Sequence, residues 1–140
     1  MAYEGFVPEI PPLHQPFWDS IKRHRAEMQQ CDRCGRFRFI PSVRCPCGSR
    51  EYTWTPIAGT GEVYTYTVVH RAPTPAYQAL TPYVIAHVTI PEGPRLISTV
   101  VGCEPAAVSV GMPVELVYDD VTPELTLYRW QPRSRGEAGG

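Results

Sequence analysis

The stretch Gly59-Thr60-Gly61-Glu62-Val63-Tyr64-Thr65-Tyr66-Thr67-Val68-Val69-His70 decides the fold. Val63, Thr65, Thr67 and Val69 alternate with Tyr64, Tyr66, Val68 and His70, a period of two that specifies a β-strand. The paired glycines at its head, reached from residues 53–56, predict a bend or bulge within a long first strand. The all-β character, which begins at Tyr52, continues downstream. Residues 71–82, with Pro73, Pro75 and Pro82, read as a loop, and Val84, Ala86, Val88 and Ile90 mark the inner face of a second strand. Pro91-Glu92-Gly93-Pro94 is a turn, and residues 95–102 return as a third strand. Residues 104–107 start a short helical turn, and Gly111-Met112-Pro113 opens a fourth strand that ends at Asp119-Asp120. Residues 124–130 form the fifth. Five strands, a glycine break in the first and a small connector between the third and fourth predict an OB-type barrel over 51–131. The polar, glycine-rich residues 132–140 read as a flexible tail.

Immediately upstream lie four of the five cysteines, as Cys31-Asp32-Arg33-Cys34 and Cys45-Pro46-Cys47. Two close pairs separated by ten residues is the layout of a zinc knuckle pair, each turn aiming two thiolates at one ion. Gly35 and Gly48 each follow the second cysteine of a pair and supply the positive φ such turns need. The second pair is C-x-C rather than C-x2-C, which tightens its turn and makes Cys47 the weakest of the four ligands. Residues 30–50 thus read as a ribbon with a structural metal. Zinc leads and iron suits the same all-thiolate set. A disulfide pair, or a ribbon without metal, is the other reading.

Residues 1–29 read as an extended, proline-rich arm followed by a helix. Pro16 suits the first helical position, and the helix is expected to reach about Gln29, with Phe17, Ile21 and Met28, and Trp18 alongside, forming its apolar stripe. A short helix outside a small β core either packs on its own domain or docks a partner, which makes Phe17 and Trp18 candidate contacts.

The chain has 140 residues, 43% of them hydrophobic, enough for one core, and a net charge of −1, so nothing pulls it globally toward nucleic acid or membrane. The charge is unevenly placed: eight of the 13 basic residues lie between Lys22 and Arg50, against Glu27 and Asp32 alone, and the barrel from residue 51 is acidic. The N-terminus has neither the basic nor the apolar part of a signal peptide, and no apolar run approaches a membrane span, so a thiolate cluster is expected in the reducing cytoplasm.

The ordered set of motifs resembles a known family, the rubredoxin-like zinc ribbon plus OB-fold proteins associated with acyl-CoA enzymes, long catalogued as domain of unknown function thirty-five. The markers are Pro16-Phe17-Trp18, Cys31-x2-Cys34-Gly35, Cys45-Pro46, Trp54, residues 59–67, Pro82-Tyr83, Glu92-Gly93-Pro94-Arg95 and Gly111-Met112-Pro113-Val114, covering roughly 14–131. The family's second knuckle is C-P-x-C, one residue longer than here. The resemblance implies a small subunit without a reaction of its own. Its partner would be a thiolase-like or lipid-transfer-protein-like enzyme, either a retro-aldolase of steroid side-chain breakdown or an acyltransferase. The barrel would contact the acyl-CoA while ribbon and helix dock the partner.

The residue inventory agrees with that implication. There is no Gly-x-Ser-x-Gly, no His-Glu-x-x-His and no phosphate loop. Cys103, at a strand end, reads as a small buried hydrophobe. His14 and His24 read as solvated, and His87 faces away from Val84, Ala86 and Val88. His70 and Arg71 are either ligand or partner contacts or a strand-end pair in water. Tyr77 and Tyr83 either line an acyl or pantetheine groove or cap the barrel. Arg23, Arg25, Arg36 and Arg38 would suit the phosphates of coenzyme A. Two further readings stand beside the accessory subunit. One is a single-strand nucleic-acid module using Tyr64, Tyr66 and the basic segment, which the acidic barrel opposes. The other is a free-standing acyl-CoA carrier.

Overall fold

The structure is a computed structural model and describes residues 5–134. A 3-10 turn, Pro12–His14, leads into helix α1, Gln15–Lys22, with Pro16 in its first turn. The helix ends at Lys22 rather than near Gln29. His24 adopts φ 58°, and the Arg25 N–H donates to the Ser20 carbonyl at 3.1 Å, a left-handed close. Residues 23–29 suit a helix by propensity, but tertiary pairing overrides it: Glu27–Cys31 is strand β1. Met28 therefore lies on a strand and joins the barrel core, while Phe17 and Ile21 keep the helix stripe.

Strand β2, Phe37–Arg38, and strand β3, Tyr52–Pro56, flank β1 in a three-stranded antiparallel sheet of order β2-β1-β3. Residues 52–56 thus pair with the ribbon, from Glu27 opposite Pro56 to Cys31 opposite Tyr52, and do not extend the first barrel strand.

The barrel comprises β4, Thr60–Val69, β5, Tyr83–Thr89, β6, Arg95–Val100, β7, Pro113–Asp120, and β8, Thr126–Pro132. It closes in the order β4-β5-β6-β8-β7, with β7 returning to β4, which is the OB topology. The loop expected at 71–82 contains a single helical turn, α2, Pro75–Gln78. Of the tail expected at 132–140, Pro132 ends β8 and the Arg133 N–H donates to the Pro113 carbonyl at 3.0 Å; residues 135–140 lie outside the described residues.

The glycine pair and the bulge are separate features. Gly61 leaves no room for a side chain: a Cβ there would lie 2.5 Å from Val88 Cγ1 and 2.7 Å from the Thr89 carbonyl oxygen. The bulge falls later, between Val63 and Thr65, and reverses the alternation. Val63 is buried opposite Val88; beyond the bulge Tyr66 and Val68 oppose Ala86 and Val84, Val68 is half-buried, and Thr65, Tyr66 and Thr67 are exposed. A strict period of two starting from the buried Val63 would put those threonines inside.

The core is continuous from barrel to ribbon. Val84, Ala86, Val88, Leu96, Val114 and Trp130 pack with Met28 of β1, and Phe37 and Phe39 lean on the same cluster. A second cluster, Phe17, Ile21 and Ala26, seats α1 against Phe39 and Tyr128. Burying Phe17 and Ile21 contributes about 1.5–3 kcal/mol each, which fixes a helix too short to hold itself together in water.

Candidate metal centre and docking face

Two turns project from the ribbon sheet. In the first, the Gly35 N–H donates to the Cys31 carbonyl at 2.9 Å, with Gly35 at φ 78°. In the second, the Gly48 N–H donates to the Cys45 carbonyl at 2.8 Å, with Gly48 at φ 97°. The four sulfurs converge, all within 4.8 Å of one another. Cys31 Sγ lies 3.6 Å from Cys47 Sγ, and Cys34 Sγ lies 3.5 Å from Cys45 Sγ. Four thiolates at ~2.3 Å from a tetrahedral ion would sit about 3.8 Å apart, so the donor set fits a four-thiolate metal. The shortened C-x-C turn still delivers Cys47.

The proton chemistry differs between the sulfurs. The Cys34 backbone N–H, with help from its neighbours, draws the Cys31 thiol down to about 6. The Cys47 N–H pulls on Cys45 too, but burial and the adjacent sulfurs push that thiol up to about 11. Four sulfurs this close ionise together only around a cation, and filling the site releases protons. Zinc would supply charge and rigid cross-linking here, and the chain supplies four thiolates and N–H groups oriented toward them.

The expected contact residues fall into distinct environments. Phe17 is 2% exposed, inside the chain's own core, its ring 4.9 Å from Phe39 and 5.8 Å from Tyr128. It holds the helix rather than offering a contact surface. Trp18 is half-buried over Tyr128 at 6.1 Å, keeping part of its ring outward. Arg25 and Arg36 are exposed, and Arg23 is exposed with a 3.5 Å pairing to Glu27. Arg38 is a clamp: its Nε donates to Gln29 Oε1 at 2.7 Å, an Nη donates to the Ser42 carbonyl at 2.9 Å, and the guanidinium lies over Tyr52 at 4.8 Å. Tyr77 ties down the arm, its hydroxyl accepting the Phe6 N–H at 3.0 Å. Tyr83 pairs with Val69 at the start of β5, and His70 and Arg71 are exposed just past β4. The 70–83 group lies at the β4 end and β5 start of the barrel, and Arg36 and Arg38 lie on the ribbon.

Sequence reasoning missed the joint that locks ribbon to barrel. His24 is exposed, as expected, but it is not free: its ring stacks on Tyr118 at 5.0 Å and its Nε2 meets Asp120 at 2.9 Å. The Tyr118 hydroxyl accepts the Ala26 N–H at 3.1 Å, and Ser20 Oγ accepts the Glu27 N–H at 3.0 Å. No local signal announces such pairs; the one hint was that Asp119-Asp120 ends a strand opposite an acid-poor helix.

A groove of about 410 Å³ runs between β2 and the β5–β6 turn, beside Arg36, Phe37, Arg38, Phe39, Glu92 and Pro94. A smaller one of about 290 Å³ lies by Gly61, Glu62, Ile90 and Arg133. Both are open to solvent.

Comparison with known proteins converges on one family. Residues 18–53 match the rubredoxin-like zinc ribbon domain of ChsH2, and residues 54–119 match the ChsH2 C-terminal OB-fold domain. The chain is 42% identical over 118 residues to a probable enoyl-CoA hydratase alpha subunit of Thermomonospora curvata, covering 83% of this chain and 36% of that protein. It thus spans about a third of that relative's length. It is 40% identical over 104 residues to a DUF35 domain-containing scaffold protein of Methanocaldococcus jannaschii, covering 72% of this chain and 73% of that one. Among solved structures it is similar to the Ltp2-ChsH2(DUF35) aldolase, with TM-score 0.82 and 38% identity, covering 90% of this chain and 98% of the matched chain. With its ribbon, its closed barrel and these matches together, the chain belongs to the DUF35 family of zinc-ribbon and OB-fold proteins.

Proposed function

We propose that this chain is a non-catalytic accessory subunit of a thiolase-fold acyl-CoA enzyme, which it stabilises and whose acyl-CoA it helps to hold. The partner would supply the reacting groups, for retro-aldol cleavage of steroid side-chain type or for acyl transfer. The observation that carries this reading is the near-complete likeness, over 98% of the matched chain, to the DUF35 chain of an aldolase assembly. The open grooves support it, because a carrier acting alone would enclose most of its ligand, whereas an open surface is completed by a second protein.

In this reading the metal is structural, most simply zinc, and rigidifies the ribbon as a docking platform. Trp18, Arg23, Arg25 and Arg36 offer outward contacts on the ribbon side, and His70, Arg71 and Tyr83 on the barrel side, so partner and CoA would meet different surfaces. Cytoplasmic residence follows from the need to keep four thiols reduced. The nucleic-acid reading loses support at Tyr64: the Arg95 guanidinium lies 3.7 Å from the ring centroid and covers a face that a base would stack on. The test is turnover. The chain alone should leave β-hydroxyacyl-CoA and acyl-CoA substrates unchanged, and adding it to its partner should raise the partner's activity; enzyme-like turnover by the isolated chain would end the proposal.

A further inference from the structure

The groove beside β2 has a donor and acceptor pattern of its own. Strand β2 is the edge of the ribbon sheet. The Cys31 N–H donates to the Arg36 carbonyl at 2.9 Å, and Gln29 and Gln30 stand opposite Arg38 and Phe37. Antiparallel alternation therefore turns the main-chain groups of Arg36 and Arg38 toward β1 and those of Phe37 away, to a side where no strand follows. Two side chains at this groove are only half used. Glu92 accepts the Ala58 N–H through Oε2 at 2.8 Å, while its Oε1 is buried with no partner. Arg38 is held through Nε and one Nη, while its other Nη is likewise buried and unpaired. Arg36 is exposed beside them, with no carboxylate partner among the described residues.

A phosphate or a nucleic-acid backbone fits this set poorly. Such an anion only accepts hydrogen bonds, so it would leave the outward Phe37 carbonyl without a donor. A polypeptide main chain offers donors and acceptors in alternation, and pairing along an exposed edge is an established way for one protein to take up another's segment. Arg36, exposed at the edge of the groove, adds a preference for acidic side chains. We propose that β2 takes up an extended, acidic segment of the partner subunit as a fourth strand of the ribbon sheet. This rests on the accessory-subunit reading.

The experiment uses the complex purified from the native host and follows amide hydrogen exchange at Phe37, against the isolated chain, together with assembly of Arg36→Glu and Arg44→Glu variants. The proposal expects the Phe37 amide to slow by roughly tenfold or more on assembly. It expects R36E to weaken assembly about tenfold, as loss of one charge-assisted contact would, and R44E, an exposed ribbon arginine outside the groove, to leave it unchanged. A stable complex in which Phe37 exchanges as fast as in the free chain, and which R36E joins normally, overturns the added strand while leaving the accessory reading intact. A chain that has no partner in its host overturns both. Protection of Phe37 by a mixed-sequence single-stranded oligonucleotide, in place of protein, also overturns it.

Discussion

His24 and Asp120, 96 positions apart in sequence, are joined directly, with Nε2 at 2.9 and 3.1 Å from the two carboxylate oxygens. The imidazole lies nearly parallel to Tyr118, at 11° between planes, so the turn after α1 is pinned to the end of β7 by a ring contact and a polar contact together. His24 holds a positive φ without being glycine, and this fixed pair of contacts accounts for it.

The joint gives stability a defined pH dependence. Hydrogen bonds from His24 and then Thr126 hold the Asp120 carboxyl below its ordinary value, against a smaller opposing effect of burial. A carboxylate depressed in the folded state stabilises the fold above its unfolded pKa, near ~3.9, and loses that contribution as pH falls through the folded value. Asp120→Asn should therefore be less stable than the parent at neutral pH, with the gap closing below about pH 4. Urea unfolding of both proteins across that range checks it; a gap constant with pH would contradict the assignment.

Phe17 tests the helix seat. Truncation to alanine removes a ring packed against Phe39 and Tyr128 and should cost about 3–5 kcal/mol in chemical unfolding. Trp18→Ala, at a half-buried position, should cost clearly less and should weaken partner assembly more than it weakens the fold.

At Gly61 the added methyl group of alanine would meet Val88 and the Thr89 main chain, and backbone cannot step aside as a side-chain tip can. Gly61→Ala should cost about 1–3 kcal/mol by overpacking. Thermal unfolding checks this, and an unchanged midpoint would mean that the barrel opens between β4 and β5 at little cost.

How far these features were legible in the sequence follows from the range of the interactions. Strands β5 to β8 could be read because Val84, Ala86, Val88 and Ile90 carry a simple period and Pro91-Glu92-Gly93-Pro94 announces its turn. The bulge after Val63 was hidden because Tyr64, Thr65, Tyr66 and Thr67 suit either face of a strand, so composition does not mark the reversal. The helix end was misjudged because residues 23–29 are good helix formers, and only pairing with β2 and β3 makes 27–31 a strand. The cysteines were legible, since thiolate spacing is a local code. The polar contacts of Gln29, fully buried and bound to Arg38 and the Ser42 N–H, were not, since burial of an amide depends on partners distant in sequence.

Metal removal should act on the ribbon first. The refolded protein should bind one zinc per chain, and cobalt substitution should give the intense charge-transfer absorption of a tetrahedral thiolate site. Cys31→Ser should weaken zinc binding by more than the ~10–100-fold typical of losing an outer contact, and should loosen assembly with it. Because Met28, Phe37 and Phe39 of the ribbon cover the barrel core, chelation should also raise exchange in β4 and β5. A C31S chain that assembles and functions normally would exclude the structural role of the metal.

The most direct test of the central claim is native mass spectrometry of the tagged chain purified gently from its own host. The account predicts a complex of fixed stoichiometry containing this chain, one zinc and a thiolase-like subunit. A mass equal to the lone chain plus zinc, with no partner at any ionic strength used, would contradict it.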